Sequence, residues 1–274
     1  MKRASIIFLT VTLITAIMQS CNQDNALLNT KRIFLTSESG DKISEKENVR
    51  FTRGAAKGTV ITVDPEQIKQ TIDGIGSSFT ESSAFVLAHL DPARRAEVMK
   101  ALFGEEGANF SLARTHIGAC DFSVEGKYSY ADKKGDTALG SFSLEHDLTG
   151  FSPAEYPGIV DEGYDLLPMI REALQIKNGQ TDSTLRLVAS DWTAPSWMKD
   201  IEEWYIPGNP ENNYQGTGGS LKKGYEETYA RYLLKYLDAC REKGIEIWGI
   251  TPVNEPHGNN GQWESMNFSA EGQN

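Results

Sequence analysis

Apolar positions divide the chain into stretches of different character. Behind Lys2 and Arg3, an apolar run extends from Ile6 to Met18. Residues 21–58 are polar, mixed in charge and weakly periodic, which reads as a tether with one short strand near Ile33–Leu35. At Thr59 the pattern changes. Val60, Ile61 and Val63 predict a second short strand, closed by Asp64-Pro65. Four apolar segments follow, Thr71–Ser77, Asn109–Gly118, Thr184–Ser190 and Glu246–Thr251, each ending in Gly or polar residues.

Helical patterns separate these segments. Asp91-Pro92 reads as an N-cap with proline at the first helical position, and Gly104 ends that helix. Leu166, Leu167, Ile170, Ala173 and Leu174 mark a second helix. The third is the most regular. Tyr225, Tyr229, Tyr232, Leu233, Tyr236, Leu237 and Cys240 recur at helical spacing, and Gly244 ends it. Its tyrosines could stack on sugars, but at this spacing they read as core. Strand and helix in alternation imply βαβ units and a parallel sheet. A doubly wound sheet and a (β/α)₈ barrel both fit that pattern. Two long connections, Asp121–Gly163 and Asp200–Gly224, are candidates for functional loops.

The apolar run near the start is short for a membrane span and reads as a signal peptide over residues 1–20. Met18-Gln19-Ser20-Cys21 resembles a bacterial lipobox, which makes Cys21 the lipidated first residue of an exported, membrane-anchored lipoprotein. The membrane contact expected is that lipid alone. Cleavage removes two positive charges, leaving −13 in place of the full chain's −11. Such an acidic balance argues against nucleic acid as a partner. Cys120 and Cys240 match no metal spacing; they read as unpaired core thiols, with a disulfide as the alternative in an exported protein. His116 reads as a core histidine, and His89, His146 and His257 form no ligand spacing with it, so no metal is expected.

The segment richest in chemistry is Trp248-Gly-Ile-Thr-Pro-Val-Asn-Glu-Pro256, an apolar strand that ends in Asn254-Glu255 and stops at Pro256. In a parallel sheet this sets an amide and a carboxyl at the C-terminal strand edge, where active sites form. Glycosidic cleavage needs a carboxylic acid to protonate the leaving oxygen. A strand-end Glu can also simply cap a loop, so the other strand ends carry weight. Leu185–Ser190 runs into Asp191-Trp192-Thr-Ala-Pro-Ser-Trp197, where two tryptophans can wall a sugar face; loop packing suits Trp197 better than Trp192. Glu81, after the first strand, can accept bonds from sugar hydroxyls. The glycines before it lack the spacing of a phosphate loop. Arg114, on the second strand, can steer a carboxylate or form a structural ion pair.

Together, Gly74–Ser82, Arg114 with Cys120–Ser123, Tyr128–Asp132, Ala189–Trp197 and Thr251–Pro256 resemble glycoside hydrolase family 30, nearest its glucosylceramidase and β-1,6-glucanase branch. The resemblance covers residues 59–274. It implies a (β/α)₈ TIM barrel, of which about the first four βα units are present, with the N-terminal strand in a side β-sandwich. It also implies retaining hydrolysis of a β-glucan or β-glucoside, and no cofactor. Glu255 maps to the general acid/base and Asn254 to its partner amide. Trp192, Arg114, Asp191, Trp197 and Glu81 map to the substrate site, Glu81 standing where the glucosylceramidases have a shorter Asp. The family's nucleophile lies on a later strand, and nothing after Glu255 supplies one. The chain therefore reads as the N-terminal portion of a longer protein, inactive alone and missing the C-terminal half of its barrel as a partner. A non-catalytic glycan-binding lipoprotein and a xylan-cleaving member of the family are the alternatives.

Overall fold

The computed structural model describes residues 32–47, 55, 57–181, 183–258 and 261–273. The expected signal peptide and Cys21 lie outside the described residues, as does part of the expected tether. The chain forms two units, Met1–Lys69 and Gln70–Asn274.

In the first unit, β1 (Ile33–Leu35) pairs antiparallel with β2 (Ser44–Lys46), and Arg32 bonds Glu45 across the pair. The expected strand at Val60–Val63 does not form. Its three apolar side chains are exposed, and no strand pairs with it among the described residues. Four β-formers in a row, Val60-Ile-Thr-Val63, do not make a strand without a hydrogen-bonding neighbour.

The second unit is a four-stranded parallel sheet, β3 (Gly76–Ser78), β4 (Leu112–Ile117), β5 (Arg186–Asp191) and β6 (Gly249–Thr251), in spatial order β3-β4-β5-β6. Strands that neighbour one another in strict chain order, each returned by a helix, are barrel topology; a doubly wound sheet reverses its order at a switch point. The order thus decides between the two architectures. Gly76 is demanded by the β3–β4 approach, because a Cβ there would sit 1.3 Å from the Leu112 carbonyl oxygen.

α1 (Glu81–Ala88) and α2 (Pro92–Phe103) join β3 to β4, α3 (Leu166–Asn178) joins β4 to β5, and α4 (Glu226–Glu242) joins β5 to β6. Asp91 caps α2 as its sequence requires, accepting from the backbone N–H groups of Ala93 and Arg94. The core lies between sheet and helices. Met99 and Phe103 of α2, Leu167 and Ile170 of α3, and Ala113 and Leu187 of the strands are all buried in it. The α4 tyrosines Tyr229, Tyr232 and Tyr236 are buried too, and Tyr130 from the first long loop stacks on Tyr236 at 5.6 Å. Such a pair contributes about 0.5–1.5 kcal/mol beyond its area. They are core residues, not sugar platforms. Cys120 and Cys240 are buried free thiols, both pushed up to about 12 by burial. Among the described residues, no helix is long and apolar enough to cross a membrane.

The first long loop is held by a buried carboxylate. Asp147 accepts from Tyr128 Oη at 2.7 Å and from Tyr130 Oη, and burial raises its pKa to about 6. One acid, at the end of the short 3₁₀ helix Glu145–Asp147, therefore ties that turn to the Tyr128–Tyr130 stretch of the loop.

Candidate active site

The parallel register brings the C-terminal ends of the strands to one edge. His116 pairs with Ser190, Ile117 with Asp191, and Ser190 with Thr251. Three residues after Thr251 comes Asn254, whose backbone N–H donates to the Asp191 carbonyl at 2.6 Å. The chain past β6 is thus pinned to the end of β5 before it turns.

Arg114 organises this edge. Its Nη2 donates to Asn254 Oδ1 at 2.7 Å and its Nε to Ser190 Oγ at 2.8 Å, and Thr251 Oγ1 contacts Ser190 Oγ at 2.6 Å. The guanidinium lies 4.5 Å from the Trp192 ring centroid, a cation–π contact. Its partners are an amide, a hydroxyl and an indole. Neither sequence expectation for Arg114, a steered carboxylate or an ion pair, describes this arrangement.

Glu255 follows, exposed, with φ at +47°. A non-glycine residue in the left-handed region stores backbone strain. The turn is closed by Gly258, whose N–H donates to the Glu255 carbonyl at 2.8 Å. A Cβ at Gly258 would approach Glu255 Oε2 to 2.8 Å, so the turn keeps a glycine beneath the carboxylate.

Trp192 and Arg114 line a cavity of about 280 Å³ with Thr80, Ser83 and Phe122. Trp192 Nε1 is buried and has no hydrogen-bond partner among the described residues. An unpaired buried donor is costly, and a ligand hydroxyl would satisfy it.

Three candidates take other places. Glu81 is buried, and its Oε2 accepts from the backbone N–H of Val124, while Oε1 lies 3.4 Å from His146 Nε2. The carboxylate is consumed inside the loop packing and does not line the cavity. Its ligand-type atoms lie within 4.8 Å of those of His146 and Asp147, but Asp147 is already taken by two tyrosines. Trp197 is buried at the end of its loop, with Nε1 donating to the Ala131 carbonyl at 2.7 Å and its ring edge-on to Tyr225. Packing uses both its donor and its faces. Asp191 is fully buried and turned toward α4, where Tyr229 Oη lies 2.7 Å from Oδ2. It does not line the cavity.

His116 is the core histidine expected. Its Nδ1–H donates to the Gly118 carbonyl at 2.6 Å, so Nε2 accepts from the Glu81 backbone N–H at 3.1 Å. Burial lowers its pKa and keeps it neutral. Ser190, Thr251 and Tyr229 were not legible as site residues, because their partners are distant in sequence.

The description "Glycosyl hydrolase family 30 TIM-barrel domain" matches residues 72–274. The chain belongs to glycosyl hydrolase family 30. Relatives include the lysosomal acid glucosylceramidase of Mus musculus, 28% identical over 73% of this chain and 34% of the relative. The endo-1,6-beta-D-glucanase of Neurospora crassa is 31% identical over 80% of this chain and 41% of the relative. Among solved structures, SrfJ from Salmonella typhimurium aligns with a TM-score of 0.67 at 27% identity, over 88% of this chain and 47% of that one. The endo-beta1,6-glucanase BT3312 aligns with a TM-score of 0.61 at 28% identity, over 88% and 46%. The chain thus spans between a third and a half of the length of these relatives.

Proposed function

We propose that this chain supplies the acid/base half of a retaining β-glucosidase site acting on a β-linked glucan. The observation that carries the reading is the Asn254-Glu255 strand end, with Asn254 locked by Arg114 and Arg114 stacked on Trp192 beside the cavity. Glu255 protonates the glycosidic oxygen as the bond breaks, then deprotonates the water that releases the sugar. Asn254 is fixed by its Oδ1, leaving its amide N–H groups to the substrate. Trp192 Nε1 donates to a sugar hydroxyl. Retention requires a second carboxylate about 5–5.5 Å from the first. We assign that nucleophile to a part of the barrel other than these four strands, so turnover belongs to the whole barrel. The relatives that act on β-glucosidic linkages, a glucosylceramidase and endo-1,6-glucanases, support a glucoside as substrate. The reaction as proposed uses protein carboxyl groups and water alone.

We place the protein outside the cytoplasm, anchored by lipid on Cys21, on the strength of Lys2, Arg3, the apolar run and the lipobox-like Met18–Cys21. An exported location fits a glycan better than a sphingolipid. Fatty-acid labelling in cells, lost in Cys21→Ala, tests the anchor. Proton NMR of the first product released from a β-1,6-glucan by the full-length protein tests the activity. The β anomer is expected, and an inverted product overturns the assignment.

A further inference from the structure

Between β5, α4 and β6 lies an oxygen cluster that is one hydrogen short. Tyr229 Oη is within hydrogen-bond distance of Asp191 Oδ2, at 2.7 Å, and also of the Pro252 carbonyl oxygen. The hydroxyl has one hydrogen, and the Pro252 carbonyl can only accept. If that hydrogen goes to an ionised Asp191, Tyr229 Oη faces the Pro252 oxygen lone pair to lone pair. The Asp191 anion is then fully buried, with Oδ1 lacking a partner among the described residues. An unpaired oxygen costs far less on a neutral acid than on an anion.

The surroundings supply no counter-charge in contact. Lys199 is the cation whose charge acts on Asp191, but its Nζ donates to the Trp204 and Ser265 carbonyls at 2.6 and 2.9 Å. The backbone N–H groups of Trp192 and Thr193 also favour the anion. Tyr232, on the same face of α4 as Tyr229, is a buried neutral phenol. Burial outweighs these attractions and holds the Asp191 carboxyl well above the usual range.

We propose that Asp191 is protonated in the folded protein and donates to Tyr229 Oη, that Tyr229 in turn donates to the Pro252 carbonyl, and that this neutral bridge positions the backbone bearing Asn254 and Glu255. Every oxygen–oxygen contact then holds one hydrogen. Asp191 and Tyr229 become positioning residues: they set the strand end from beneath, while the Asn254 N–H to Asp191 carbonyl bond sets it from the side. The claim about Glu255 rests on the function proposed above; the claim about the proton does not.

Two measurements read the proton in the full-length protein. A carboxyl ¹³C resonance identified by its loss in Asp191→Asn should stay at the protonated-acid shift from pH 5 to 7. Urea unfolding gives the linked quantity. Asp191 binds its proton in the folded state and releases it on unfolding, so the fold loses stability as pH rises above the unfolded value. The unfolding constant of the parent should rise by up to about tenfold per pH unit relative to Asp191→Asn across that window. Parallel slopes, or an ionised-carboxylate shift, would overturn the bridge. The third readout is kinetic. Asp191→Asn keeps a neutral donor to Tyr229 and should retain kcat. Tyr229→Phe removes the bridge and should lower kcat by about tenfold or more with KM little changed, as for a misplaced catalytic group. If Tyr229→Phe and Asp191→Asn both kept full kcat while the proton readouts held, the positioning claim would fall and the bridge would be structural only. Loss of all turnover in the parent would instead strike the proposed function and leave the proton readouts standing.

Discussion

Arg114 Nη2 donates to Asn254 Oδ1 across 2.7 Å, joining the second strand of the sheet to the residue before Glu255. Because Nε of the same guanidinium reaches Ser190 on the strand between them, one side chain spans three adjacent strand ends. Lysine carries the charge but cannot hold both partners in a fixed fork. In Arg114→Lys, kcat on a β-glucoside should fall by about a hundredfold, the penalty for an angstrom-scale displacement at the reacting centre. The circular dichroism and melting profile should stay near those of the parent. Steady-state kinetics with retained kcat would show that the fork has no bearing on Glu255.

Glu255→Gln tests the acid directly. The amide has no proton to give to the leaving oxygen, so hydrolysis of unactivated substrates should drop by about 10²–10⁴-fold. Aryl glucosides with strongly acidic leaving groups need little protonation, and their first step should be far less affected. Pre-steady-state bursts on both substrate types separate the steps. An equal loss on both would remove Glu255 from the acid role.

Trp192→Phe keeps the ring beside Arg114 and deletes the buried, unpartnered Nε1–H. A neutral hydrogen bond contributes about 0.5–1.5 kcal/mol net, so affinity for the sugar should weaken by up to about tenfold. The free protein should be no less stable than the parent, because an unsatisfied donor has been removed. Calorimetric titration with a glucoside and a thermal melt give the two readings.

The architecture was legible wherever one helix face or one cap sufficed. Asp91-Pro92 and Gly104 bracketed α2 because capping is local, and the tyrosine spacing marked α4 because one face of it is buried. α1 was missed for the opposite reason. Its eight residues contain apolar side chains all round, from buried Ala84 to exposed Val86, so no stripe stands out. The strand at Val60–Val63 was misread, because propensity carries no information about a pairing partner. Within the site, Asn254, Trp192 and Arg114 fell together because they sit at the same edge of neighbouring strands. Glu81, Asp191 and Trp197 share that edge in sequence terms, but their side chains turn into packing. That distinction depends on partners such as Val124, Tyr229 and Ala131, which lie 38 to 66 residues away.

Asp147 is expected to control the first long loop. It is fully buried and takes both the Tyr128 and the Tyr130 hydroxyls. Alanine would leave two buried phenols without an acceptor, at about 1–3 kcal/mol each. Asp147→Ala should therefore shift the urea midpoint sharply downward, whereas Asp147→Asn, which keeps one acceptor oxygen, should lose about half as much. Proteolysis inside residues 121–163 should accelerate in the same order. Equal stability of the two variants would mean that the tyrosines find other partners.

Lys199 gives a pH dependence of opposite sign to that of a buried acid. It is fully buried, its Nζ donates to the Trp204 and Ser265 carbonyls, and burial lowers its pKa to about 7 despite Asp200, Glu264 and Glu203 nearby. On unfolding, the amine returns to its ordinary value near 10.5. Between those two values the unfolded chain binds a proton that the folded chain does not. Raising the pH through that window therefore favours the fold, by about 1.4 kcal/mol per pH unit for one proton. Relative to Lys199→Met, the stability of the second unit should rise between about pH 7.5 and 9.5. The comparison cancels the buried Cys120 and Cys240 thiols, which ionise only on unfolding and pull the other way. The variant should also lose about 1–3 kcal/mol at pH 7, because two buried carbonyls lose their donor. Denaturant titrations of both proteins at half-unit pH steps decide the matter: parallel curves would mean that Lys199 stays charged in the fold, held by Asp200, Glu264 and Glu203.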